Sequence, residues 1–202
     1  MQPKLKQFVL GCPFCQRYNK QTIKYGHLPP KQVKHLEPWE EICVDTIGPW
    51  KVSINKFEYS FQALTCVDPV VCLPDVIPVD NASSKTVSEV FEDDWLSRDS
   101  SPVRCIHDNG NEFLGPEFSI MLQRNKIELV PTTIKNPQAN AIVERMHQSI
   151  NTMLAISLRE NPPKRYEDVS SLIHIKCTAA QYAVRATMQS TLKYTPGKLT
   201  LN

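Results

Sequence analysis

The chain has 202 residues, 41% of them hydrophobic, and a formal net charge of +2 from 23 Lys and Arg against 21 Asp and Glu. That length holds one domain of about 150 residues plus an appendage. No apolar run approaches the ~20 residues of a membrane span, Met1–Lys6 is too polar to begin a secretory signal, and seven scattered cysteines do not make a disulfide framework. Composition therefore predicts a nuclear or cytoplasmic protein whose cysteines pack in a reducing compartment.

The small net charge hides a split. Residues 1–35 carry Lys4, Lys6, Arg17, Lys20, Lys24, Lys31 and Lys34 and no acid, hence +7, which leaves −5 for the remainder of a chain totalling +2. Such a basic arm offers a salt-sensitive, non-specific grip on phosphate. It also holds Cys12-Pro13-Phe14-Cys15, a C-x-x-C knuckle that looks like half of a zinc site, which when closed needs four N or S ligands. With few apolar residues the arm, taken as 1–24, is expected to be poorly ordered. Gly26, Pro29, Pro30 and Pro38 then mark a stiff linker over 25–38.

Glu40–Thr46 reads as a first strand stopped by Gly48-Pro49, Ile47–Lys56 as a turn, and Phe57–Val67 and Val71–Val79 as second and third strands of an antiparallel meander. Pro74 and Pro78 cannot donate to a ladder and place the third strand at a sheet edge. After Asn81, Ser83 and Ser84 suit a helix start, and Val87, Val90, Phe91 and Trp95 form one apolar stripe. Val103–His107 reads as a fourth strand, Glu117–Asn125 as a helix and Lys126–Pro131 as a fifth strand. Thr132–Gln138 reads as a mobile loop.

A long helix follows from about Ala139 to Glu160, ended by Asn161-Pro162-Pro163. Val143, Met146, Ile150, Met153 and Leu154 share its apolar face; Asn140, Glu144, His147, Gln148 and Asn151 share its polar face. Arg165–Met188 reads as a last helix, packing through Tyr166, Val169, Leu172, Ile173, Cys177 and Ala180. Thr195-Pro196-Gly197 should break the chain.

Three acids stand out. Asp45 ends the apolar run Ile42-Cys43-Val44, Asp108 follows the fourth strand, and Glu144 rides the long helix. A carboxylate at the end of a buried strand is costly without a neutralising partner. A hard divalent cation supplies one, because Mg²⁺ takes oxygen ligands from one or two carboxylates plus substrate phosphate. Three carboxylates sharing two ions would clamp the attacking and leaving oxygens of an in-line phosphoryl displacement. Asp68, Asp75 and Glu112 are more simply turn or surface acids, and His107, as a strand neighbour of Asp108, points to the other face.

With Asp45 in DTIGPW, Asp108 in HDNGNEF, a gap of 35 residues, and Glu144 in NPQANAIVER, the chain resembles the catalytic core of retroviral and LTR-retrotransposon integrases over about residues 37–190. The DTIGPW run makes the likeness greatest to the gypsy-type retrotransposon group. Ala141 stands where the family commonly has Gly.

The resemblance implies a ribonuclease H-like α/β fold, a mixed five-stranded sheet flanked by helices, over a core at 39–190 with a tail at 191–202. It implies a polynucleotidyl transferase that uses two Mg²⁺ or Mn²⁺ ions held by Asp45, Asp108 and Glu144. Water and then a freed DNA 3′ hydroxyl would act as nucleophiles in end processing and strand transfer into target DNA. Lys135 and Gln138 in the loop, with Asn140, His147, Gln148 and Asn151, are the candidate DNA contacts. A homodimer or higher oligomer would form through the last helix, helped by its small residues Ala179, Ala180, Ala183 and Ala186.

The family's zinc partners for Cys12 and Cys15 are histidines upstream. Here none precedes Cys12, and His27 and His35 lie downstream. The knuckle is expected to be the remnant of a truncated zinc domain that binds no Zn²⁺. The small β domain usual after the core is also expected to be missing. Two other readings stay open: a nuclease of the same fold that cleaves without joining, and a non-catalytic nucleic-acid- or protein-binding relic of a retroelement.

Overall fold

A computed structural model describes residues 3–13, 36–131, 137–160, 162–188 and 193–201. Five strands form one sheet in the order β3-β2-β1-β4-β5: β1 Glu41–Ile54, β2 Phe57–Asp68, β3 Leu73–Val79, β4 Arg104–His107 and β5 Glu128–Pro131. The first three pair antiparallel, and β1·β4 and β4·β5 pair parallel. The helices are α1 Pro3–Gly11, α2 Ser84–Val90 (running on into a π-helical segment, Phe91–Leu96), α3 Asn111–Leu114, α4 Pro116–Arg124, α5 Pro137–Glu160, α6 Tyr166–Ala186 and α7 Pro196–Leu201.

Period-2 alternation sorts β1 onto two cores. Ile42 and Val44 join Phe91, Trp95, Phe113, Phe118 and Leu122 on one face. Cys43 and Ile47 join Val143, Ile150 and Leu154 of α5 and Val169, Ile173 and Cys177 of α6 on the other. The helical stripes read from sequence are thus core faces apart from Tyr166, which is 47% exposed against Tyr59, and Trp95 is buried at 1% exposure. Burial pushes the thiols of Cys43 and Cys177 up to about 12, so they pack as neutral thiols. As expected, the proline-bearing β3 is an edge strand.

Four expectations need correction. First, β1 does not stop at Gly48-Pro49. Pairing skips from Ile47↔Ala63 to Trp50↔Phe61, a bulge that absorbs one extra residue. Gly48 has φ +120°, and a Cβ there would lie 2.8 Å from the Phe61 carbonyl oxygen. The turn shrinks to Asn55-Lys56, both with positive φ, the two-residue geometry that matches strand twist.

Second, Pro3–Gly11 is helical where an unordered arm was expected; a proline near the start of a helix is pre-set for it. Third, Pro196 opens α7 where a break was expected, with Thr195 Oγ1 accepting from the Lys198 amide at 3.2 Å. Fourth, Asp75 is no surface acid: it is 1% exposed, inside a cluster of basic and amide side chains. Cys15, the linker and most of the Thr132–Gln138 loop lie outside the described residues.

Candidate active site

The parallel pairing of β1 and β4 sets Val44 opposite His107. Their successors Asp45 and Asp108 therefore emerge side by side from neighbouring strands, which lie about 4.8 Å apart. Alternation turns both toward the face covered by α5, because Cys43 and Ile106 contact that core. A backbone amide orients each carboxylate: Thr46 N–H donates to Asp45 Oδ1 at 2.7 Å and Gly110 N–H to Asp108 Oδ1 at 3.0 Å.

Burial, followed by the charge of Asp108, pushes the Asp45 carboxyl up to about 6; the Thr46 amide opposes this, and the charges of Glu112 and Glu144 add smaller upward effects. The crowding of these acids has a stability consequence. An acid at about 6 when folded and 3.8 in its ordinary state costs nothing below about pH 4. The cost grows as pH rises to about 6 and is complete above it, at roughly 3 kcal/mol. In urea unfolding with a chelator present, Asp45→Asn should raise stability by about 2–3 kcal/mol near pH 7, and the gain should vanish near pH 4. An equal gain at both pH values would refute the charge explanation.

The Thr65 hydroxyl, across β2 from Asp45, donates to the Asp45 carbonyl at 2.9 Å and lies 2.7 Å from His147 Nε2. Its one proton is spent on the carbonyl, so it accepts from Nε2–H. Nδ1 then has no proton and faces Asp45 Oδ2 at 3.6 Å. Burial pushes His147 down to about 4, so at neutral pH this contact is two acceptors face to face and not an ion pair. A cation between them would satisfy both.

Glu144 lies one helical turn before His147 on α5 and its side chain is exposed. Its charge acts on Asp45 less than those of Asp108 and Glu112. Among the described residues, no three His, Cys, Asp or Glu side chains are grouped closely enough to hold one ion. The fold therefore brings Asp45 and Asp108 together, with Glu144 on the helix above them.

Of the candidate DNA contacts, Gln148 and Asn151 are exposed, Asn151 Oδ1 accepting from Trp50 Nε1 at 2.8 Å. His147 is turned inward, its side chain only 14% exposed. Lys135 lies outside the described residues, and Gln138 and Asn140 are described only as helical backbone. His107 is buried against Phe113 on the far face, as its neighbour position predicted.

Glu112, read from sequence as a surface acid, is half-buried beside the pair, with its Oε1 accepting from Thr46 Oγ1 at 2.6 Å. The available signal was its nearness in sequence to Asp108, four residues on, in the short helix that follows the strand end.

No family model matches the chain. It is 27% identical over 202 residues to the Pro-Pol polyprotein of feline foamy virus, covering 98% of this chain and 16% of that protein. It is 28% identical over 113 residues to a retrovirus-related Pol polyprotein from transposon 412 of Drosophila melanogaster, covering 56% of this chain and 9% of that one. The chain thus spans less than a fifth of the length of these relatives. Among solved structures, the HTLV-2 integrase catalytic core domain in complex with magnesium, trimeric form, superposes with TM-score 0.62 at 17% identity. That match covers 82% of this chain and 98% of that one.

This is the fold of a retroviral integrase catalytic core. One relative is viral and the other a transposon, so the likeness is to retroelement Pol polyproteins. In the integrase-type core, Asp45 and Asp108 suit a hard divalent cation. Both donors are carboxylate oxygens, they stand on adjacent strands, and their crowding is the kind that a divalent charge relieves.

Proposed function

We propose that the chain is the catalytic core of a retroelement integrase, a polynucleotidyl transferase acting on the element's DNA ends and on target DNA. The observation that carries this reading is the register of β1 and β4, which sets two carboxylates side by side, one of them raised to about 6 by its surroundings. Asp45 and Asp108 would hold one ion jointly, and Glu144, carried on α5, would complete a second site. Two Mg²⁺ or Mn²⁺ ions, when bound, supply Lewis acidity at the attacked phosphodiester.

The chain's own residues do the remainder. β1 and β4 fix the spacing of the pair, neutral His147 holds α5 over Asp45 through Thr65, and Gln148 and Asn151 line the outer surface for the DNA backbone. The integrase structure similar to this one was obtained with magnesium and as a trimer, and the same domain also exists in a dimeric form. These support a divalent cation and a homodimer or higher oligomer here. Ile175 and Tyr182, 59% and 72% exposed on α6, lie on the helix expected to form that contact.

A second reading, a non-catalytic nucleic-acid- or protein-binding domain, is favoured by the exposed Glu144 standing apart from the other two acids. A labelled branched DNA mimicking a strand-transfer product separates the readings. Incubated with Mn²⁺ or Mg²⁺, the wild type should resolve the branch and Glu144→Gln should not. Inactivity of both, with cation binding confirmed by calorimetry, favours the binding domain.

A further inference from the structure

Glu112 has no part in the three-acid scheme, yet it meets that scheme at two points. Its Oε1 accepts from the Thr46 hydroxyl at 2.6 Å, and Thr46 is the residue whose amide holds Asp45 Oδ1 at 2.7 Å. Its other carboxylate oxygen closes on Gly110. A Cβ at Gly110 would lie 2.7 Å from Glu112 Oε2 and 3.0 Å from Asp108 Oδ1, so both carboxylates converge on that glycine. Gly110 in turn donates its amide to Asp108 Oδ1 at 3.0 Å.

The hydrogen bond joins segments 66 residues apart: the strand that carries Asp45, and the short helix α3 that follows Asp108. β4 ends at His107, opposite Val44, and the Gly110–Glu112 segment beyond it lies outside the strand pairing.

We infer that Glu112 is a positioning residue for the site: its hydrogen bond from Thr46 straps the Asp108 segment to β1 and sets the separation of the Asp45 and Asp108 carboxylates. A site of fixed oxygen donors binds a small hard cation well only at the right spacing. Groups that hold ligands in place through hydrogen bonds are typically worth 10–100-fold in metal affinity. The strap needs an acceptor at position 112 and not its charge. Glu112→Gln, whose amide oxygen can still accept from Thr46, should therefore keep the strap although it removes a charge beside Asp45, and Thr46→Ser should keep it as well. Glu112→Ala and Thr46→Val break the strap.

This inference rests on reading the pair as a cation site, so the test has one arm without metal. In the metal-free full chain, hydrogen exchange at the Thr46 amide should quicken about tenfold in Glu112→Ala and stay at the wild-type rate in Glu112→Gln. In the second arm, calorimetry with Mn²⁺ should show affinity falling roughly 10–100-fold in Glu112→Ala and Thr46→Val, Thr46→Ser retaining it and Glu112→Gln losing clearly less than Glu112→Ala. Thermal melts separate loss of fold from loss of the strap.

Unchanged exchange in Glu112→Ala overturns the strap whatever the metal does, and so does loss of affinity in Glu112→Gln equal to that in Glu112→Ala. Wild-type Mn²⁺ affinity in Glu112→Ala overturns its role in spacing the pair. Quickened exchange with no cation bound by any variant, wild type included, upholds the strap and refutes the cation site.

Discussion

Asp108→Asn should lower metal-dependent DNA nicking by at least about 10²–10³-fold while leaving the melting temperature near that of the wild type. The fold should survive because Asp108 is exposed, lies just past the end of β4, and its carboxylate accepts from the Gly110 amide at Oδ1. Asparagine retains that oxygen. What it removes is one anionic donor of the strand pair and the charge that contributes most, after burial, to raising Asp45. The Asp45 carboxyl should therefore move down from about 6 in the variant, a shift that side-chain carboxyl NMR of the metal-free chain can follow. Nicking retained at the wild-type rate, with Asp45 displaced as expected, would count strongly against the catalytic assignment.

Asp75→Ala should cost about 3 kcal/mol and lower the melting temperature by roughly 6–12 °C. Asp75 is 1% exposed on edge strand β3. Its Oδ1 accepts from Arg185 Nη2 at 2.6 Å and from Gln181 Nε2, and its Oδ2 accepts from Arg98 Nη2 at 2.7 Å. Arg185 also donates to the Pro74 carbonyl at 3.0 Å, and Gln181 Oε1 accepts from the Val76 amide at 3.3 Å. The carboxylate thus joins the sheet edge to α6 and to the end of the π-helical segment.

Removing it strands the inner donors. Arg98, half exposed, can turn to water, which keeps the cost at the low end for a broken buried pair. Burial pushes the Asp75 carboxyl up in spite of both arginines. Losing the charge alone should therefore cost less than losing the acceptors, and Asp75→Asn should fall well short of Asp75→Ala in a urea titration. Equal costs for the two variants would show that the charge dominates.

The local repeats in the chain determined its elements. The apolar run Ile42-Cys43-Val44 marked a buried strand, the 3.6-residue spacing of Val143, Met146, Ile150 and Leu154 marked the core face of α5, and the prolines of β3 marked an edge. The three acids, in the motifs that carry them, resemble an integrase core, and that resemblance implied the fold. Those signals work because periodicity is a property of neighbours along one chain.

What only the tertiary structure decided are pairings between distant residues. Thr46 with Glu112, Thr65 with His147, and Asp75 with Arg185 span 66, 82 and 110 positions. Each depends on strand order and register, which no local window contains. The continuation of β1 through Gly48-Pro49 belongs to the same class. A glycine followed by proline ordinarily breaks a strand, and here β2 supplies partners on both sides of a bulge that the twist of the hairpin accommodates. Side-chain type and spacing could nominate Asp45, Asp108 and Glu144, but the crowding that raises Asp45 arises only when a parallel pair of strands sets it beside Asp108.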